Sequence, residues 1–312
     1  MEHAGPSDAA VIRPFGADPA HHRAATLATG INPHYGRLDP YAMAWAAVDE
    51  ALRNTVAVGG DPDQVALLDN FCWGNPMRPE TLGALTLAAR GCHDAAVALR
   101  APYISGKDSL NNEFLGEDGE RHAIPGTLLI SALALVPDLR RAVTMDLKAA
   151  DDRLYVVGET RGETGGSAWA RLRGGGGPVP APNPDALPLF RALHQAIAAG
   201  WVRACHDASE GGLAVALAEM ALAGGLGLYA DLDAAPGIRG LAAGVALFAE
   251  SSSRFVVAVA EGDAAAFEQA LAGHPVGRIG RVTAEPTMRV QVADRTLAWP
   301  VAALAQAFAG GH

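Results

Sequence analysis

Glu50 and Asn54 stand four residues apart in PYAMAWAAVDEALRNTVA, a spacing that puts both on one face of a helix. A carboxylate and a carboxamide one turn apart offer the hard oxygen ligands that Mg2+ takes beside phosphate and water. With Asp49 and Arg53 they also read as an ordinary solvated helix face. The run His206-Asp207-Ala208-Ser209-Glu210-Gly211-Gly212-Leu213 carries acidic and hydroxyl groups from a strand end through two glycines into a helix. That is the make-up of a phosphate and metal corner, with Asp207 or Ser209 as a plain N-cap the alternative. Ser105 to Glu113 (SGKDSLNNE) opens a strand into a loop dense in donors and acceptors around Lys107; a polar β-turn is the other reading. Asp69 to Pro76 (DNFCWGNP) is similar in kind, or else a capped turn with Phe71 and Trp73 in the core. Glu163 to Ser167 (ETGGS) is a small turn able to cradle an anion.

These residues need elements to hold them. Asp39-Pro40 reads as N-cap and N1 of a helix running to about Val58, where Gly59-Gly60 ends it. No element is evident before it. Gln64–Leu68 is a short apolar strand that enters a loop at Asp69-Asn70. Residues 79–99 read as helix, 102–105 as a short strand, 106–113 as a loop, and 127–136 as a central strand rich in Leu and Ile. The pattern resets near 140–152, which divides the chain into residues 1–147 and 148–312. Beyond it come a strand from Leu154, a Gly/Pro stretch at 173–184, a helix to Ala198 and a strand at 201–205. A glycine-led helix follows at 211–224, then strands at 227–232 and 254–259, a helix from Asp263 and a last strand at 276–282. Alternating strands and helices in both parts predict two α/β or α+β domains.

Composition excludes several classes. Half of the 312 residues are hydrophobic, 19% are charged, and no apolar run reaches a membrane-spanning length, so a soluble, cytoplasmic protein is expected. A net charge of −10 without a basic cluster argues against nucleic-acid binding. Three scattered cysteines, Cys72, Cys92 and Cys205, make neither a disulfide framework nor a zinc site and read as buried thiols. No Walker loop, Rossmann fingerprint, HExxH or GxSxG occurs. The remaining histidines show no catalytic spacing. Lys107 and Lys148 are the only lysines, and an acidic chain that handles phosphate esters must neutralise them locally.

Taken in order, DPYAMAWAAVDEALRN, LLDNFCWGNP, PYISGKDSLNNEF, IPGTLLISA and ACHDASEGGLAVALAEMA resemble the C-terminal half of phosphoribosylformylglycinamidine synthase, in the aminoimidazole ribonucleotide synthetase superfamily. The resemblance runs from about Asp8 to the C-terminus. It implies a two-domain unit whose N-terminal domain gives strands to a barrel shared with a partner half, and whose C-terminal domain is a mixed sheet with helices. It implies an ATP-dependent amidation of formylglycinamide ribonucleotide, with ammonia from a glutaminase domain or subunit. The family's catalytic histidine motif, THNHPS-like, does not occur here, so the resemblance implies half an enzyme that works with an N-terminal half or a second copy of itself.

Two sites follow from the resemblance. For an auxiliary magnesium nucleotide (ATP or ADP) the matching ligands are Asp8, Glu50, Asn54 and Asp207, with Ser209 beside the nucleotide. For the shared active site the matches are Asp69 and Gly106 for ATP and Ser109 for the ribonucleotide. Lys107 stands where many family members have a metal-binding asparagine; a lysine cannot ligate Mg2+, but it can sit on a phosphate. Two rival readings are a nucleotide-binding structural or regulatory module without turnover, and a stand-alone homodimeric synthetase of the superfamily.

Overall fold

The computed structural model describes residues 7–16, 18 and 20–310. Two strands lie ahead of the expected first helix, β1 (Ala10–Ile12) and β2 (Ala24–Ile31), followed by one helical turn, α1 (Pro33–Gly36). This corrects the reading of the opening as elementless. In β2 the residues facing the helices are small, Ala24, Thr26, Ala28 and Gly30, while Leu27 and Ile31 face outward. The usual contrast of large inside and polar outside is missing, so the strand has no period-2 hydrophobic signal.

Helix α2 (Pro40–Ala57) begins where Asp39 Oδ1 accepts from Tyr41 N and Ala42 N at 2.9 and 3.0 Å, and ends ahead of Gly59, whose φ of +101° only glycine adopts easily. Next come β3 (Val65–Cys72), α3 (Pro79–Leu99), β4 (Tyr103–Ser109), the hairpin β5 (Glu113–Leu115) and β6 (Arg121–Ala123), and β7 (Thr127–Val136). Asp69-Asn70 and Gly106 to Ser109, expected in loops, are therefore strand residues. They pair with each other in parallel register, Asp69 opposite Gly106 and Cys72 opposite Ser109, while β3 also pairs along its length with β7. Ladder bonds satisfy the backbone whatever the side chains, so polar residues are tolerated where those side chains reach the rim.

The first sheet has the order β1-β2-β7-β3-β4. Helices α2 and α3 cover one face. On the other, Leu27 is 46% exposed and lies opposite Leu133, 37% exposed, with Ile31 and Leu135 alongside.

The chain leaves this sheet at Val136 and enters a second at β8 (Arg153–Val157). There follow α4 (Ala168–Arg173), α5 (Ala186–Ala199), β9 (Val202–Asp207), α6 (Gly212–Gly224), β10 (Gly227–Asp231), α7 (Ala243–Phe248), β11 (Phe255–Val259), α8 (Ala264–Ala270) and β12 (Val276–Thr283). Three elements come after the strand expected to be last: β13 (Thr287–Val292), β14 (Arg295–Pro300) and α9 (Val301–Phe308). Their hairpin turns at Ala293-Asp294, with Ala293 at φ +51°, and so lacks the Asn-Gly or Gly-Gly pair that marks such turns in sequence. The order is β14-β13-β10-β12-β8-β11-β9, with α6 on one face and α5 and α8 on the other.

Helix α2 joins the two halves. It packs on β2 and β7 of the first sheet and on β9 and α5 of the second half, within one apolar core that runs from Tyr35 and Trp45 to Phe190 and Phe255. Cys92 and Cys205 are buried as expected, whereas Cys72 is only half-buried. No helix among the described residues is long and apolar enough to cross a membrane.

Candidate functional site

Helix α2 carries three charged residues on its middle turns, Asp49, Glu50 and Arg53, of which the first and last are buried and Glu50 is half-buried at a cleft. Asp49 and Arg53 are each 3% exposed. Arg53 donates to Asp49 and, through Nε and Nη2, to Asp207 Oδ2 at 3.3 and 3.1 Å. Asp49 in turn accepts from the Ser253 amide at 2.8 Å and from its hydroxyl. Burial works against the Arg53 charge, but Asp49, Asp207 and Glu50 hold the guanidinium above its ordinary range. This permanent cation fixes Asp207 at the end of β9 against α2.

On the neighbouring face Glu50 and Asn54 do stand one above the other. Glu50 Oε2 accepts from the Ile31 amide at 2.9 Å and from Asn32 Nδ2 at 2.7 Å. Asn54 Nδ2 donates to Thr29 O at 3.0 Å, while its buried Oδ1 has no partner among the described residues. Burial pushes the Glu50 carboxyl up to about 7, and Arg53 limits the rise.

Asp8 completes the group from the start of the chain. Its Oδ1 accepts from the Asp207 amide at 2.8 Å and from His206 Nδ1 at 2.9 Å, while His206 Nε2 donates to Glu219 on α6 at 2.9 Å. Burial would strip the imidazole of its proton, but Asp8, Glu219 and Asp207 around it raise its pKa well above the ordinary value. Asp207 is raised by burial, against the pull of Arg53. Ser209 Oγ lies 3.4 Å from Asp207 Oδ1.

Asp8, Glu50, Asn54, Asp207 and Ser209 thus line one cleft of about 580 Å³ between the two halves, with His34, Arg171 and Glu219 at its walls. Ligand atoms of Asp8, His206 and Asp207 come within 4.8 Å of one another. An imidazolium with both N–H groups donated has no lone pair for a metal. What remains is a set of oxygens, including the unpartnered Asn54 Oδ1, which fits a hard divalent cation such as Mg2+ better than a soft one.

The other four expected residues lie elsewhere, on the β3–β4 edge of the first sheet. Gly106 faces Asp69 so closely that a Cβ there would meet Asp69 Oδ1 at 2.5 Å. Burial raises the Asp69 carboxyl, opposed by the Lys107 backbone. Asp69 lines a mostly apolar groove of about 730 Å³ between α3 and β4, with Phe71, Val97 and Tyr103. Lys107 and Ser109, being odd neighbours of Gly106 on the strand, project from the opposite, open face, across from Asn70 and Cys72. Ser109 is held by Asn112, whose Nδ2 donates to its carbonyl at 2.6 Å.

The ETGGS turn is used mainly by the fold, although Glu163 Oε2 is buried without a partner among the described residues. Glu163 accepts from the Ala181 amide at 2.8 Å, and Ser167 caps α4 through the Ala170 amide at 3.1 Å. Sequence reading missed Arg53 and Asp49, buried behind the cleft, and His206, Glu219, His34 and Arg171 in its wall. One signal for the first two was available: charges flanked by Ala, Trp, Val and Leu on all sides leave no polar stripe for them to join.

Comparison with known proteins adds the following. The AIR synthase related protein family matches twice, its N-terminal domain over residues 6–127 and its C-terminal domain over residues 149–293. The phosphoribosylformylglycinamidine synthase subunit PurL of Deinococcus radiodurans is 37% identical over 298 residues, covering 92% of this chain and 38% of that protein. T. maritima PurL complexed with FGAR superposes with a TM-score of 0.74 at 20% identity, over 91% of this chain and 46% of that one. A chain of the HypE–HypF complex superposes with a TM-score of 0.67 at 14% identity, over 91% of this chain and 96% of that one. The chain spans less than half the length of these two PurL relatives.

Proposed function

The chain belongs to the AIR synthase related family in both of its domains, and on that premise we propose that it acts as the C-terminal half of a phosphoribosylformylglycinamidine synthase. The observation that carries this reading is the convergence of Asp8, Glu50, Asn54 and Asp207 on one cleft from segments up to 199 residues apart, with Asn54 Oδ1 left for a ligand. The overall reaction takes formylglycinamide ribonucleotide, ammonia and ATP to the amidine, ADP and phosphate in purine biosynthesis, in the cytoplasm. Phosphorylation of the formamide oxygen makes it a leaving group for ammonia, which a glutaminase releases from glutamine.

In this reading the cleft holds a magnesium nucleotide that is not turned over, with Ser209 beside it. The ion, when bound, screens the phosphate charge. The anchoring of Asp207 by the buried Arg53 favours a resident ligand, because the carboxylate is fixed before anything binds. Asp69 and Gly106 form part of a separate ATP site, the apolar groove beside them suiting a base. Ser109 and Lys107, on the open face, reach substrate or phosphate in a barrel completed by a partner half.

The open face of the first sheet supports that partnership. Leu27, Ile31, Leu133 and Leu135 form an apolar surface of the sort an assembly covers. The occupant is the N-terminal half of the synthase or a second copy of this chain.

Two measurements test the proposal. Denatured protein, purified without added nucleotide, should release about one ADP with Mg2+ per chain. Combined with its complementary half, the chain should support ATP hydrolysis that depends on both formylglycinamide ribonucleotide and ammonia. Failure of the second while the first holds would leave a nucleotide-binding module without turnover, and failure of both would remove the proposal.

A further inference from the structure

We propose that Arg171 is the phosphate-gripping cation at the mouth of the Asp8–Asp207 cleft, resting on His34 until a nucleoside diphosphate or triphosphate displaces that contact. The inference rests on the reading of the cleft as a magnesium-nucleotide site and adds to it the residue that senses the phosphate chain.

The charges around the cleft are unbalanced toward the negative. Asp8, Glu50, Asp207, Glu210 and Glu219 all line it. His206 is committed through both nitrogens to Asp8 and Glu219, and Arg53 is buried behind the cleft between Asp49 and Asp207. A polyphosphate entering beside so many carboxylates needs a positive group besides the metal ion. Arg171 is the one arginine in the cleft wall, and among the described residues it makes no ion pair with a carboxylate. Its side-chain hydrogen bond is to His34 Nε2, at 2.6 Å.

That partner is a weak one. Burial and then the charges of Arg171 and Arg37 lower the His34 pKa, so the ring meets the guanidinium as a neutral acceptor. A phosphate oxygen offers the same guanidinium a charge-assisted and often bidentate bond, so exchange of the imidazole for phosphate is favourable.

The local structure suits a fixed base with a movable arm. Arg171 sits on α4 and His34 on α1, so the pair bridges the two halves across the cleft mouth. The start of α4 is pinned: the Ala168 amide donates to Glu250 Oε1 at 3.0 Å, and Glu250 Oε2 accepts from Tyr35 Oη at 2.5 Å. Gly166, at φ +74°, lets this turn lie against α1, where a Cβ would come 2.8 Å from Tyr35 Cδ1. Arg171 itself is exposed. Its Cα is therefore held at the rim while its side chain can swing from the imidazole toward the metal-ligand cluster.

The test is calorimetric titration of the full chain, first freed of co-purified nucleotide and metal by EDTA and dialysis, with ADP and with AMP in Mg2+, and with Mn2+ alone, for wild type, Arg171→Ala, Arg171→Lys and His34→Ala. Losing a charge-assisted contact should weaken ADP about ten- to hundredfold in Arg171→Ala. The loss should be partial in Arg171→Lys, while Mn2+ affinity without nucleotide stays within about twofold in both. AMP should lose much less than ADP. His34→Ala, which frees the arginine, should bind ADP at least as tightly as wild type. Unchanged ADP affinity in Arg171→Ala would overturn the proposal, as would an equal loss for Mn2+ alone, which would mark Arg171 as a structural strut. A wild-type chain that binds no magnesium nucleotide would instead sink the reading of the cleft itself.

Discussion

Gly30 of β2 lies directly beneath Ala47 of α2: a Cβ on Gly30 would run into the Ala47 carbonyl oxygen and approach Ala51 N to 2.8 Å. The flanking residues exploit this approach, since Thr29 O accepts from Asn54 and the Ile31 amide donates to Glu50. Both obstacles are backbone, so Gly30→Ala must lift the helix off the sheet. Denaturant titration should show a loss of about 3 kcal/mol, with the Mg2+ response of the cleft lost as well. Gly83→Ala, in α3 with open space around it, should instead gain up to about 1 kcal/mol.

Glu50 gives the metal-free protein a pH signature. Its carboxyl rises from 4.5 to about 7 on folding, so the folded state binds this proton more tightly than the unfolded one. The resulting contribution is fully present below pH 4.5 and is lost as pH rises through about 7, an effect on the order of 3 kcal/mol. In EDTA, wild type should therefore weaken between about pH 4.5 and 7 relative to Glu50→Gln, and run parallel to it above that range. Added Mg2+, which favours the carboxylate, should restore wild type increasingly over the same range. Parallel stability curves for the two proteins in EDTA within that range would show that Glu50 does not titrate there.

Arg53→Leu leaves Asp49 and Asp207 buried without their shared counter-charge. Removing one member of such a buried pair costs about 3–5 kcal/mol, and a thermal melt should register the fall. Asp207→Asn keeps the shape and should fold, but the rise in Tm given by Mg2+ with ADP should largely vanish.

Leu133→Arg places a charge in the centre of the open face, opposite Leu27. Sedimentation velocity should show that the variant no longer assembles with a complementary half or with itself, while its own Tm changes little. Assembly as tight as wild type would locate the interface elsewhere.

Helices α2 and α3 and strand β7 were legible in the sequence because proline, capping and glycine signals coincide with clear periodicity there. The proposed cation ligands were legible only through motif resemblance, since by spacing alone Glu50 and Asn54 fit a solvated helix face better. β2 was hidden by its inverted pattern, small residues toward α2 and Leu27 and Ile31 toward the open face. Asp69 and Gly106 read as loop because polar and glycine residues mark loops, whereas pairing to neighbouring strands keeps them extended. Arg53 and Arg171 were out of reach for another reason. Their partners, Asp207 and His34, are 154 and 137 residues away, and no local pattern encodes such distances.

Those separations also bear on lifetime. Asp8 meets the Asp207 amide across 199 residues and Asp49 meets Ser253 across 204, so the cleft closes some of the longest loops in the chain. A cleft assembled from segments so far apart is complete only in the native fold, so a ligand that needs all of them binds the folded state alone. A ligand bound there would leave the refolding limb of a chevron unmoved and lower only the unfolding limb. Occupancy of the cleft would therefore act as a timer, setting how long a folded molecule survives proteases and heat more than how readily it folds.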